Sequence, residues 1–154
     1  YKILYYDSNM LKDFINEELN ITAMKPHNKA ELQKLVEKLI KQRGNEADLN
    51  DIDTSEIKDM SHLFENSNFN GDISKWDVSN VLNMSIMFYK SKFTGENGDI
   101  SNWNVSKVKD MYCMFSASFF NGDISEWKIS KGCNTDRIFY MGRISKWNKP
   151  KRLR

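Results

Sequence analysis

A repeated seven-residue phrase constrains this chain more than any other feature of its sequence. The phrase Asn-Gly-Asp-Ile-Ser-x-Trp occurs at residues 70–76, 97–103 and 121–127, and a degraded copy runs from Gly142 to Trp147. All four tryptophans of the protein stand at the same position of the phrase. Self-similarity of this kind is typical of repeat architectures, in which neighbouring units bury each other's apolar faces. The repeat therefore predicts a protein that functions by binding and not by catalysis.

The repeat unit is about 24 residues long and begins before the first obvious phrase. Residues 48–57 align with residues 72–81 at a shift of 24. One later spacing is lengthened to 27 by three extra residues within the segment 94–97. Insertions into repeat proteins fall in loops, so the extra residues do not disturb the alignment. Units begin near Asp48, Asp72, Asp99, Asp123 and Arg143.

Each unit divides into a strand-like half and a helix-like half. The segment Ile-x-x-Trp-x-Val is short and rich in β-forming residues, which predicts a brief strand. The second half repeats apolar residues at relative positions 0, 3, 6 and 7, which share one face of a short helix. Asn-Gly tolerates positive φ and predicts the turn into the next unit. The predicted fold class is therefore an α/β repeat solenoid.

Two amphipathic helices are predicted ahead of the repeats. Asn9 is a plausible N-cap for a short helix that ends near Leu19, which serves either for packing or for docking. Asn28 and Glu31 form a capping box before a helix whose apolar spacing continues to Gly44. This second helix is predicted to cap the open end of the repeats. The predicted organisation is an N-terminal arm (1–27), capping helix plus repeats (28–147) and a basic tail (148–154).

The positions that the units share are predicted to be scaffold. The Ile, Met and Phe columns are expected in the core, and the Trp column is expected to be buried or half-buried, with an exposed aromatic strip for binding as the alternative. The Asp column is expected to accept backbone N–H bonds beside each turn, since one acid per unit does not make a calcium loop. Cys113 and Cys133 are expected to be free, partly buried thiols. No metal or cofactor is expected.

The charge of the chain is unevenly distributed. The net charge is +2, but the last twelve residues hold six Lys and Arg and no acid. The remaining residues carry 17 basic against 21 acidic side chains, so residues 1–142 have a net charge of about −4. The tail is expected to be either a solvated end or a docking site for an anionic partner, with nucleic acid less favoured than protein. Its candidate residues are Lys149, Lys151, Arg152 and Arg154.

The sequence favours binding over catalysis. His27 and His62 lie in unrelated contexts, and no phosphate-cradling glycine loop is present. No apolar run approaches the roughly 20 residues that a membrane span needs. Positions that differ between otherwise similar units are where specificity for a protein partner would lie. The predicted partner-binding residues are Lys75, Asn80, Asn102, Lys107, Glu126, Lys131 and Lys146.

The string from Phe69 to Phe88 resembles the BspA-like leucine-rich repeat family, whose repeat also occurs in the mycoplasma lipoprotein-associated domain. The resemblance extends over about residues 48–147. It implies an irregular leucine-rich-repeat-like solenoid that serves adhesion or protein–protein binding at a bacterial cell surface. Similar short repeat proteins in bacteriophage genomes suggest the alternative of a structural subunit, for example of a phage particle, held by the arm and the tail. A chain without a leader would be cytoplasmic or virion-associated.

Overall fold

Residues 24–154 are described by a computed structural model, and the predicted helix near residues 9–19 lies outside them. The first described element is helix α1, Lys29–Arg43. The Asn28 side chain accepts a hydrogen bond from the Glu31 N–H at 3.0 Å, and Gly44, with φ of 90°, ends the helix. The predicted N-cap and the bounds of this helix are confirmed, while the Glu31 carboxylate accepts from the His27 N–H at 2.9 Å, one residue before the N-cap.

Helix α1 covers the first repeat unit. Its apolar stripe, which contains Leu32, Val36 and Leu39, is buried in the same hydrophobic cluster as the repeats. At its C-terminal end, the Arg43 guanidinium donates to both carboxylate oxygens of Asp51, at 3.0 and 2.7 Å. Burial of the stripe removes apolar surface from water at both the helix and the first unit.

The predicted α/β solenoid of leucine-rich-repeat type is wrong. Within residues 24–154 there is no β-strand and no second α-helix; the only other helical elements are 3-10 helices at Lys146–Asn148 and Lys151–Leu153. The strand-like half of each unit bends every few residues instead. In the second unit, the Trp76 N–H donates to the Ile73 carbonyl at 3.2 Å. Such turns leave extended runs too short to form a strand.

The helix-like half of each unit is a series of turns joined by left-handed residues. The Met87 N–H donates to the Met84 carbonyl at 3.3 Å, but Ile86 between them has φ of 60° and Lys90 has φ of 53°. A left-handed residue cannot continue a right-handed helix. Four consecutive units carry such residues at the same two positions: His62 and Asn66, Ile86 and Lys90, Cys113 and Ala117, Arg137 and Met141.

Neighbouring units contact each other through isolated parallel bridges and stacked rings. A column of such bridges joins Asp59 to Asn83, Asn83 to Asp110, and Asp110 to Asn134. The ring of Phe88 lies 5.4 Å from that of Phe64 in the unit before it, with an interplanar angle of 7°. These Phe residues and the Met residues of the same units are buried. The predicted assignment of both columns to the core is confirmed, although the backbone that positions them is made of turns.

The tryptophan column is buried in three units and exposed in the last. Trp76, Trp103 and Trp127 are at most 5% exposed, whereas Trp147 is 70% exposed. The Trp76 indole donates to the Leu49 carbonyl at 2.9 Å, and the Trp127 indole donates to the Ile100 carbonyl at 3.0 Å. The Trp103 indole nitrogen has no partner among the described residues. The three-residue insertion that precedes Trp103 changes its spacing from the preceding unit.

Candidate protein-binding surface

The acidic residues of the repeat are engaged within their own turns. The Asp72 carboxylate accepts from the Ser74 N–H at 2.9 Å, and Asp123 accepts from the Ser125 N–H at 2.9 Å. These bonds to the backbone and the hydroxyl of Ser125 lower the pKa of Asp123. The predicted structural role of this column is confirmed. Among residues 24–154, no three His, Cys, Asp or Glu side chains are grouped so that they could hold a metal ion.

The seven predicted partner-binding residues are all exposed. They alternate along the chain with the buried Ile, Trp, Met and Phe columns. The shared positions are therefore buried, and these variable positions are exposed. Exposed side chains on a framework held by turn hydrogen bonds are available to a partner without unfolding. The seven are Lys75, Asn80, Asn102, Lys107, Glu126, Lys131 and Lys146.

The structure brings two of these seven side chains together. The Lys107 ammonium donates to the Asn80 side-chain carbonyl at 3.0 Å, one unit away. The Asn80 amide in turn donates to the Ser55 carbonyl at 2.9 Å, which ties it to the preceding unit. Asn80 is therefore partly structural. No hydrogen bond links the side chains of Lys75, Asn102, Glu126 and Lys146 in the described part of the chain.

A groove lined by polar residues lies beside the start of α1, and the sequence did not predict it. It has a volume of about 550 Å³ and includes Asn80 in its lining. At its rim the His27 Nδ1 lies 2.6 Å from the Glu56 carboxylate, and Lys25 lies 3.2 Å from the same group. The hydrogen bond to Glu56 raises the pKa of His27, and the bond from His27 lowers the pKa of Glu56. A usable signal was that Glu56 stands at the repeat position of Asn80 and Lys107.

The basic tail is folded back onto the fourth unit. The Arg152 guanidinium donates to the backbone carbonyls of Ile129, at 3.2 Å, and of Ser130. The Arg154 guanidinium donates to the Trp147 carbonyl at 3.1 Å. Two of the four tail residues predicted to meet an anionic partner therefore already make bonds within the chain, while Lys151 is exposed.

Three large apolar side chains are exposed near the tail. Tyr140 is 59% exposed, Met141 is 76% exposed and Trp147 is 70% exposed. Cations lie close to two of these rings: Arg137 is 5.9 Å from the Tyr140 ring centre and Arg154 is 5.6 Å from that of Trp147. Aromatic and basic side chains together are common at protein interfaces. These exposed side chains were missed because the second half of the fourth unit and the degraded phrase at 142–147 depart from the repeat pattern.

Comparisons with known proteins identify a family without assigning an activity. The family model described as "Mycoplasma protein of unknown function, DUF285" matches residues 30–150. No curated protein and no solved structure matches the chain. The match agrees with the predicted resemblance to a mycoplasma-associated repeat domain, while the BspA-like leucine-rich repeat is not confirmed. In the part of the chain described, no helix is long and apolar enough to cross a membrane, as predicted.

Proposed function

This chain belongs to the mycoplasma family DUF285, whose function is unknown, and we propose that it acts as a non-catalytic protein-binding module. The observation that carries the proposal is the separation of the repeat into buried shared positions and exposed variable ones. Such a division lets binding specificity change without cost to the core. A role in adhesion is one form of this function, since adhesion is protein binding at a surface.

The contacts of the reactive side chains support a function without catalysis. His27 pairs with Glu56 at 2.6 Å and His62 pairs with Glu65 at 2.7 Å, both in exposed positions. The turn carboxylates accept backbone N–H bonds within two residues. A catalytic centre requires several such groups to converge on one reacting atom. The two histidines and the turn carboxylates are instead engaged in separate local hydrogen bonds.

The proposal is tested by charge reversal on the variable positions. A partner is first identified by affinity capture with the full chain and mass spectrometry, and its affinity is then measured with purified components by calorimetry. The triple variant Lys75→Glu, Lys107→Glu and Lys131→Glu is expected to weaken binding at least about tenfold, because rim charges contribute to complementarity.

The matched control is the triple variant Lys34→Glu, Lys38→Glu and Lys41→Glu on the exposed face of α1. It changes the net charge by the same amount at a distance from the variable positions, and we expect it to bind like the unmodified chain. Unchanged affinity of the first variant, or equal losses in both, contradicts the proposed surface.

The alternative is a structural subunit of a larger assembly, such as a phage particle, held by the arm and the tail. The intrachain bonds of Arg152 and Arg154 weigh against the tail as a free attachment arm. Deletion of residues 148–154 separates the two functions, since an assembly subunit would lose incorporation while a binder through the variable positions would keep its partner. Nucleic-acid binding through the tail would instead be lost with the deletion and depend steeply on salt.

A further inference from the structure

In the second half of the repeat, consecutive units are joined by a row of backbone hydrogen bonds in which the earlier unit donates to the later one. Other bonds between units run the opposite way, such as that from the Lys109 N–H to the Leu82 carbonyl at 2.8 Å. In the second unit, the N–H groups of alternate residues donate to carbonyls of the third unit. Met84 donates to Asp110 at 2.8 Å, and Phe88 donates to Met114 at 2.9 Å. The same pattern joins the first unit to the second and the third to the fourth, from donors Met60, His62, Phe64, Asn66, Met111, Cys113, Phe115 and Ala117.

The fourth unit repeats this row, but nothing in residues 24–154 accepts its bonds. The backbone N–H groups of Thr135, Arg137, Phe139 and Met141 stand at the donor positions, and we call them the donor row. They have no acceptor among the described residues. The row keeps the geometry of the earlier units, because Arg137 and Met141 have φ of 55° and 54°, close to the values at the same positions before them.

The residues that follow the fourth unit take another course and leave the row uncovered. The Ile124 N–H donates to the Asn148 carbonyl at 2.9 Å, so this segment pairs with the first half of the fourth unit. Arg152 then binds the turn at Ile129 and Ser130. A row of backbone donors without acceptors among the described residues can pair with the carbonyls of another chain segment.

The chemistry beside the donor row specifies the charge of such a chain. Residues 128–154 contain nine Lys and Arg and one acid, Asp136. Tyr140 and Met141, which belong to the same segment as the row, are exposed. A segment that pairs here would bring acidic side chains to Arg137 and Arg143 and apolar side chains to Tyr140 and Met141.

We propose that the donor row binds an acidic peptide segment of a partner protein, whose backbone carbonyls accept the four N–H bonds. The proposal rests on the proposed function only in that the ligand is a protein, and it uses a surface separate from Lys75 and Lys107. Main-chain bonds supply affinity in this mode of recognition, and the neighbouring side chains supply specificity.

A second copy of this chain is the weaker candidate for the same surface. The matching acceptors would be carbonyls of the first unit, such as those of Ser61 and Leu63, but both residues are buried beside α1. The Lys29 ammonium also donates to the Ser61 hydroxyl at 2.6 Å, which fixes the helix over this end. Self-association would therefore require α1 to leave its place.

The test uses the full chain and two synthetic peptides, Glu-Tyr-Glu-Val-Glu-Tyr-Glu-Val and its counterpart with Gln for every Glu. Amide resonances of the ¹⁵N-labelled protein are followed by NMR during titration up to about 1 mM peptide, the range of a weak complex. We expect the acidic peptide to shift the amides of the donor row and the Gln peptide to bind at least about tenfold more weakly.

Two double variants separate this site from the variable positions. The variant Arg137→Glu with Arg143→Glu is expected to bind the acidic peptide at least about tenfold more weakly. The variant Lys75→Glu with Lys107→Glu is expected to bind it with unchanged affinity. The second pair is expected to weaken binding of the native partner. The two variants therefore test the two proposals independently. Should the arginine variant not fold, the shifts in the unmodified chain decide the matter.

Four results overturn the proposal: no binding at the highest concentration, shifts confined to other amides, equal binding of the two peptides, or concentration-dependent self-association that protects the row. A further result also overturns the proposal: single-stranded oligothymidine displaces the peptide without shifting the amide resonances of the donor row. That result would assign the basic surface to nucleic-acid binding.

Discussion

At the residue scale, the same side chain makes different contacts in different units. Trp76 and Trp127 each donate an indole hydrogen bond to a carbonyl of the preceding unit, whereas Trp103 is equally buried without one. A buried donor without a partner retains the cost of its desolvation. The sequence shows three copies of one phrase, but the insertion within 94–97 lengthens the spacing along the chain between the second and third copies from 24 to 27 residues.

This difference predicts unequal costs for one substitution. Trp76→Phe is expected to lower the free energy of unfolding by about 1 kcal/mol more than Trp103→Phe, because only the first change breaks a hydrogen bond. Both variants lose similar ring volume, so each controls for the other. Urea denaturation followed by circular dichroism measures the difference. Equal losses, or a larger loss for Trp103→Phe, would show that the indole bond contributes nothing.

At the scale of elements, helix α1 was predictable because its signals are local. The capping box, the apolar spacing and the terminal glycine lie within one continuous segment, and each acts on the helix itself. The units were not predictable in this way. Ile86 and Cys113 adopt left-handed backbone conformations that neither residue type favours, and hydrogen bonds to the next unit hold them there. Contacts between units decide that conformation.

The same reasoning explains which parts of the candidate surface the sequence revealed. The apolar positions at spacings 0, 3, 6 and 7 are buried, and the variable positions are exposed, although no helix forms there. Whether a residue is buried or exposed follows from the polarity of its side chain, which the sequence shows. The donor row depends on backbone direction and was missed. A signal was available, since the fourth unit is the last that reaches the second half of the repeat.

The connector before α1 is attached to the first unit by charged groups, which predicts a dependence on pH. The pKa of Asp53 is lowered from 3.8 to about 2, mainly by hydrogen bonds from Ser55 and further by Lys25. A depressed carboxyl pKa stabilises the folded state above about pH 3.8, and this stabilisation is lost as the pH falls towards about 2.

We therefore expect Asp53→Asn to unfold at lower urea concentration than the unmodified chain at pH 7, and the two midpoints to converge near pH 2. Asn fits this position, because Asn104 stands there in the third unit and accepts from the Ser106 N–H at 3.2 Å. Lys25→Ala is the matched variant: it keeps the Ser55 bonds and should retain most of the pH dependence. A constant gap between Asp53→Asn and the unmodified chain at all pH values would refute the assignment.

At the scale of the whole molecule, the two ends of the repeats differ in chemistry. Helix α1 covers the first unit, in which Ser61 and Leu63, at two of the acceptor positions, are buried. The fourth unit ends in backbone donors beside a basic and partly apolar surface. This polarity follows from the row of bonds in the second half of the repeat, in which each of the first three units donates to the next. It gives the chain one end that is covered and one that can accept a further segment.

Amide hydrogen exchange of the isolated chain, resolved by NMR, tests this account most directly. Donors between units, such as Met84, Phe88, Met111 and Phe115, should exchange at least about a hundredfold more slowly than Thr135, Arg137, Phe139 and Met141, a difference of about 3 kcal/mol. Equal protection of the two sets at low protein concentration would contradict a donor row that has no acceptor among the described residues.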